Sequence, residues 1–338
     1  MKSIVLEKPG DFRLGEASVP VPDEGEALVR MVRMGICGTD LHAYRGEQPF
    51  FSYPRVIGHE LAGEIVDVGD GDHGLKAGDP VVVLPYLGCR TCIACRRGRP
   101  NCCTDIQVMG VHVDGGLREF ITVPTDHLIA APGLEWDQRA LVECLAIGAH
   151  AVRRAVPEVN ENVVVIGVGP IGLGVLQFAR AEGARVIAVD LNEERLRFWS
   201  DRFDGGDDVV LAGDDAQTRI FDLCGGDFPT VVVDATGSAS SMIGALQYVA
   251  HGGRLVYVGL TKQPFGWAHP EFHKRETTLL ASRNATREDF ARVMSAIRDG
   301  IAQPSCLITH RTGLGDVPDR FEAFLDPGER TMKALVDF

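Results

Sequence analysis

The chain has 338 residues, 45% hydrophobic and 24% charged, with a formal net charge of −13. That length is more than one core comfortably holds and predicts two domains, while the composition is ordinary for a soluble globular protein. The acidic balance argues against nucleic acid as the main partner, because phosphate binding needs a basic face.

The first ten residues, MKSIVLEKPG, alternate like a first β-strand and lack the apolar segment of a signal peptide. Nine cysteines without an export signal read as metal-bound or reduced, with the cytoplasm as the expected location. Short β-type runs at 27–32, 62–68 and 80–84, broken by Gly and Pro, predict a compact, mostly antiparallel β domain with long loops. Two of those loops carry ligand-type residues. Cys37 sits in Gly35-Ile-Cys-Gly-Thr-Asp40, and Gly58-His59-Glu60 sets an imidazole beside a carboxylate. A Cys, a His and a carboxylate would leave the fourth position of a zinc ion open, and Glu143 is a further carboxylate of the right type. Taken singly, each also reads as a buried thiol, a surface His or an exposed Glu.

The next motif is more specific. Cys89-Arg-Thr-Cys92-Ile-Ala-Cys95 is closed by Cys103. Four thiols at C-x2-C-x2-C-x7-C can converge on one tetrahedral ion at roughly 2.3 Å each, as in a closed structural zinc site. Cys102 lies beside Cys103, and the x7 spacing favours Cys103.

From Asn162 the rhythm becomes strand, helix, strand. An apolar strand at 163–166 leads into Gly167-Val-Gly169-Pro170-Ile171-Gly172, then a helix to about 181 and a strand at 185–190. The uncharged stretch 162–179 contains Pro170 and four glycines, so it reads as strand, turn and helix and not as a membrane span. The glycines permit a tight turn and close approach of backbone to a pyrophosphate seated on the helix N-terminus. Asp190, 18 residues beyond Gly172, would accept from the ribose hydroxyls of NAD and repel the 2′-phosphate of NADP. Arg195, five residues further on, could take that phosphate, and NAD is the expectation. Runs at 230–234 and 254–258 read as later strands of the same sheet, and the acidic stretches 204–208 and 213–215 as solvated loops. The chain after about Arg283 returns to helix and short strands.

Gly35-Ile-Cys-Gly-Thr-Asp-Leu-His42, Gly58-His-Glu60, the four-cysteine lobe and the glycine fingerprint, in that order, resemble the zinc-containing medium-chain dehydrogenase/reductase superfamily across essentially the whole chain. Within it the chain is similar to the sorbitol dehydrogenase-like branch. Stretches 48–56, 109–116, 149–154, 270–278 and 282–286 resemble bacterial L-galactonate and L-gulonate 5-dehydrogenases.

The resemblance implies an α/β protein with a GroES-like β-rich catalytic domain at 1–150 and 285–338. It carries a structural zinc lobe at 88–104, and a Rossmann doubly wound parallel-sheet domain spans 151–284. It implies two zinc ions per chain and NAD. Cys37, His59 and Glu60 would hold the catalytic zinc, Glu143 would ligate it or hold its water, and Cys89, Cys92, Cys95 and Cys103 would hold the structural one. Thr39 and His42 match a proton relay. Arg283 falls where polyol dehydrogenases have an arginine near substrate and nicotinamide. Arg118, His112 and Lys274 are further cations that could meet a substrate carboxylate. One departure stands out: Cys144 follows Glu143 where relatives usually have proline, so a one-residue slip could offer a thiolate. The implied activity is hydride transfer from C5 of L-gulonate or L-galactonate to NAD, by a homo-oligomer, dimer or tetramer. A polyol or L-threonine dehydrogenase of the same superfamily is the alternative, and a non-catalytic NAD-binding protein a third reading.

Overall fold

In a computed structural model, which describes residues 1–69, 74–203, 206 and 208–338, the chain divides into two units. The first comprises Met1–Cys144, Thr286–Arg298 and Leu307–Phe338, the second Leu145–Ala285 and Asp299–Cys306. The expected boundaries at 150 and 285 differ from this division in two places. The helix Val142–Ala155 is continuous across the first, giving its opening residues to one unit and the rest to the other. The segment Asp299–Cys306 stays with the second unit, where the Gln303 N–H donates to Gln177 Oε1 at 2.8 Å. Of the acidic stretch 204–208, residues 204, 205 and 207 lie outside the described residues.

The first unit is built on a seven-stranded sheet. Its order is Ile308–Gly313, Lys333–Asp337, Glu26–Ile36, Glu60–Asp67, Pro80–Val83 and Leu128–Ala130, with Phe120–Pro124 also paired to Glu26–Ile36. All pairs are antiparallel except Ile308–Gly313 with Lys333–Asp337. The alternation in Glu26–Ile36 explains its place: Ala27, Val29 and Met31 turn into the core, beside Ile65, Val81 and Ile121. Residues after 283 that looked like helix and short strands are the helix Arg287–Arg298 and two strands of this sheet, so the chain returns to complete the unit it began.

The second unit carries a six-stranded parallel sheet. Its order is Val209–Leu211, Arg185–Asp190, Asn162–Ile166, Val231–Asp234, Arg254–Tyr257 and Thr278–Ala281. The chain enters in the middle, winds out to one edge and then to the other, which is the doubly wound order with its switch point between Asn162–Ile166 and Val231–Asp234. Val163 to Val165 are fully buried because helices cover both faces of such a sheet. Among the described residues no helix is long and apolar enough to cross a membrane.

Candidate metal centres and dinucleotide site

Two clusters of metal-ligating atoms form in the first unit among the described residues. In the first, the thiols of Cys89, Cys92, Cys95 and Cys103 all lie within 4.8 Å of one another. The helical turns Ile93–Arg96 and Pro100–Cys102 fold the loop back on itself. Backbone donors then point at the sulfurs: the Cys89 N–H at Cys103 Sγ (3.2 Å), the Cys92 N–H at Cys89 Sγ (3.3 Å) and the Asp105 N–H at Cys103 Sγ (3.4 Å). Donors of this kind favour thiolates, the metal-binding form. The N–H of Cys95 is foremost among those holding the Cys92 thiol down to about 5. Cys102 is exposed and stands outside the cluster. Four thiolates are the donor set of a closed structural zinc site.

In the second cluster, ligand atoms of Cys37, His59 and Glu60 lie within 4.8 Å of one another. Cys37 precedes the helix Gly38–Tyr44, and its own N–H donates to Asp40 Oδ2 at 2.9 Å, which fixes the loop that presents the thiol. Glu60 opens the strand Glu60–Asp67 opposite Gly35. A Cβ at Gly35 would collide with the Glu60 carboxylate, so glycine there makes the room the carboxylate occupies.

Around these three residues stands a shell of buried polar groups. Asp40 Oδ1 lies 3.7 Å from His59 Nδ1. A proton on Nδ1 therefore faces a carboxylate, and Nε2 keeps its lone pair for a metal. Lys333 Nζ is 2.6 Å from Glu60 Oε1 and donates to the Ile36 carbonyl at 3.3 Å. Burial disfavours the Lys333 charge, but the acidic groups around it, the paired Glu60 carboxylate among them, outweigh it and hold its pKa above the ordinary lysine value. Glu60 Oε2 is buried without a hydrogen-bond partner. A thiolate, an imidazole and a carboxylate with one oxygen unpartnered fit a zinc ion with its fourth position open.

Glu143, on the first turn of Val142–Ala155, is not part of that trio. Its Oε1 accepts from the Tyr86 hydroxyl, both side chains being buried, and burial pushes the Glu143 carboxyl up to about 7. Cys144 is 1% exposed, and burial raises its thiol well above the ordinary range, which suits a neutral SH and not a competing ligand. Thr39 is half-buried and His42 exposed, three residues apart on one face of Gly38–Tyr44.

In the second unit the strand Asn162–Ile166 runs into the helix Pro170–Ala181 through Gly167, at φ +92°, with Gly169 as N-cap. A Cβ at Gly172 would strike the Gly167 carbonyl, so the turn closes only on glycine. Pro170 and Ile171 begin the helix, where a missing N–H is harmless. Asp190 ends Arg185–Asp190; its Oδ2 accepts from the Val168 N–H at 2.7 Å and its Oδ1 from the Asn192 N–H at 2.8 Å. The carboxylate is thus tied to the glycine turn itself. Arg195 Nη1 lies 4.0 Å from Asp190 Oδ2, closer than five residues of sequence suggest.

Arg283 is exposed, two residues beyond the strand Thr278–Ala281 of the second unit. Of the other cations, Lys274 pairs with Glu271 at 2.7 Å and Arg118 Nε donates to the Gly115 carbonyl at 3.2 Å. His112 Nδ1 accepts from the Val108 N–H at 3.1 Å while its ring stacks on Phe50. Three residues of the site were not read from the sequence: Asp40, Tyr86 and Lys333. Asp40 had a signal, an acid at the N3 position of a helix opened by Cys37. Tyr86 and Lys333 had none.

Residues 23–133 match the family model of the alcohol dehydrogenase GroES-like domain, and residues 170–299 that of the zinc-binding dehydrogenases. The chain is 41% identical over 339 residues to L-galactonate-5-dehydrogenase of Escherichia coli K12, covering 100% of this chain and 99% of that one. It is 34% identical over 344 residues to the starvation-sensing protein RspB of the same strain, again with 100% and 99% covered. The crystal structure of an alcohol dehydrogenase from E. coli CFT073 in complex with NADH superposes with a TM-score of 0.93 at 32% identity, covering 100% of this chain and 99% of the other. With the GroES-like and Rossmann units, the four-thiol lobe and the open ligand trio all present, the chain belongs to the zinc-binding alcohol dehydrogenase family and is an NAD-dependent zinc oxidoreductase.

Proposed function

We propose that the protein oxidises the C5 hydroxyl of a hexonate, L-gulonate or L-galactonate, with NAD, giving D-fructuronate or D-tagaturonate. The observation that carries the reading is the 41% identity, over the whole of both chains, to an enzyme named for oxidising L-galactonate at C5. Cys37, His59 and Glu60 would hold the catalytic zinc, with Glu143 beside it, and Cys89, Cys92, Cys95 and Cys103 the structural one. When bound, zinc supplies a Lewis acid that lowers the pKa of an alcohol, and NAD supplies the hydride acceptor. The Thr39 hydroxyl takes the substrate proton and hands it towards His42, which is exposed and releases it to solvent. The glycine turn 167–172 receives the pyrophosphate, and Asp190 the ribose hydroxyls, with Arg195 at its side.

A hexonate differs from a polyol by its carboxylate, and Arg283 is the cation assigned to it, since a guanidinium matches both oxygens. The test is NAD reduction across a panel of aldonates and polyols, with the product carbon identified by NMR. Turnover of L-gulonate or L-galactonate should exceed that of sorbitol. Arg283→Ala should cost about 10- to 100-fold on the hexonate, the weight of a charge-assisted hydrogen bond, and much less on a neutral polyol. Better turnover of sorbitol than of either hexonate by the unaltered enzyme would overturn the sugar-acid reading, and equal losses on both substrates would assign Arg283 to NAD instead.

A further inference from the structure

Glu143 presents a choice that the residue types leave open: a carboxylate beside a trio of ligands can become the fourth ligand and close the site, or can stand off and leave it open. What restrains it comes from a distant stretch of chain. Tyr86 lies in the short strand Tyr86–Leu87, paired with Gln107–Val108, three residues before the first thiol of the four-cysteine lobe. Its ring meets the edge of Phe290, centroids 6.4 Å apart and planes at 85°, and both rings are buried. With the ring fixed on both sides, by the strand pair and by Phe290, the hydroxyl has a set direction, and it donates to Glu143 Oε1. Glu143 accordingly lies outside the group formed by Cys37, His59 and Glu60.

The geometry points to Tyr86 as a positioning residue that engages one oxygen of Glu143 and so keeps the carboxylate from becoming a fourth protein ligand of the catalytic zinc. The inference rests on Cys37, His59 and Glu60 being that ion's ligands. Two consequences follow. The fourth position stays available to the substrate hydroxyl only while the Tyr86 hydroxyl is in place. The four-thiol lobe acquires a role in the reaction as well, because it anchors the strand from which Tyr86 reaches Glu143.

The test uses the full-length protein with cobalt(II) in place of zinc, and sodium azide as a probe of an open coordination position. A closed four-thiolate site has no position for azide, so a change in the visible spectrum reports on the catalytic site alone. The unaltered protein should respond to azide. Tyr86→Phe keeps the ring contact with Phe290 and removes only the donor. It should hold the same amount of cobalt and lose the azide response, with kcat down about 10- to 100-fold, as for other outer partners of a metal site, and KM for NAD unchanged. In Tyr86→Phe/Glu143→Gln the azide response should return, since a neutral amide is a poor zinc ligand. An unaltered protein that ignores azide, or a Tyr86→Phe protein that responds to azide and turns over as the unaltered one does, would overturn the proposal. Full cobalt loading in Cys37→Ala would instead defeat the ligand trio, a distinct failure.

Discussion

Lys333 and Glu60 form an ion pair of 2.6 Å in which neither partner is more than 2% exposed, although 273 residues separate them in sequence. Two charges so deeply placed are held only while each neutralises the other, because an unpaired buried charge is very costly. Glu60 therefore has the ammonium as a standing counter-charge, and would gain a second if it holds the zinc.

Lys333→Met should expose that arrangement. Without metal, the variant should lose about 3–5 kcal/mol, the penalty for breaking one side of a buried pair. With zinc bound the loss should be smaller, since the ion takes over the neutralisation. Urea denaturation with and without a chelator measures the two losses. A variant equally destabilised in both conditions would show that Lys333 serves packing alone.

Metal content should separate the two clusters. The purified protein should hold about two zinc ions per chain when both sites fill. Cys37→Ala should lose one of them and its turnover while the protein stays folded. Cys103→Ser, at a buried thiol that also accepts two backbone N–H groups, should lose the other and unfold earlier. Elemental analysis beside a thermal melt reads both effects, and a Cys103→Ser protein as stable as its parent would deny the lobe a structural role.

Cofactor choice should follow Asp190. In Asp190→Ser, KM for NAD should rise about tenfold with the loss of a bidentate acceptor, and KM for NADP should fall as repulsion is relieved and Arg195 remains. Because Asp190 also accepts from Val168 and Asn192, the variant should lose some stability as well. Steady-state kinetics with both dinucleotides settle the direction, and an unaltered enzyme that prefers NADP would contradict the assignment.

Acid should weaken the first unit through Asp137. Its burial works to raise the pKa, but the hydrogen bond from Arg311, with Arg33 in support, holds it below the ordinary 3.8. A depressed carboxyl pKa contributes stability that is fully present above the unfolded value and is lost as pH falls through the folded one. Arg33 Nε approaches Asp137 at 2.8 Å, yet Asp137 is 23% exposed and Arg311 42%, so solvent screening limits the contribution to about 1 kcal/mol. Asp137→Asn should cost that amount at neutral pH, and the difference from the parent should shrink below pH 3.8. Urea midpoints at a series of pH values would show it, and a difference that does not change with pH would rule the mechanism out.

How much of this was legible in the sequence depends on how far each contact reaches along the chain. The strand, glycine turn and helix from Asn162 to Ala181 are contiguous, so periodicity and turn chemistry suffice to read them. The thiols of the zinc lobe lie within 15 residues of one another, and their spacing alone suggests convergence. Cys37 follows the strand Glu26–Ile36 and His59 and Glu60 stand at the start of its neighbour Glu60–Asp67, and only the family resemblance linked them. Tyr86 and Lys333 carry no local mark. A tyrosine at the end of a β run and a lysine in an apolar strand look like a core edge and a solvated cation. Their partners lie 57 and 273 residues away, and nothing short of the tertiary fold brings them together.

The strand Lys333–Asp337 is seated between Ile308–Gly313 and Glu26–Ile36, and this imposes an order on biosynthesis. A chain emerging from the ribosome presents Cys37, His59 and Glu60 early, long before the lysine that neutralises Glu60 exists. Nearly all of the dinucleotide-binding unit, Leu145–Ala285, is translated as one uninterrupted block in the meantime and can fold while the first sheet still lacks its inner strand. The unit begun first is the unit finished last. During synthesis the nucleotide-binding unit can thus fold beside an unfinished catalytic unit, and the Glu60 carboxylate waits for its ammonium partner until Lys333 is made.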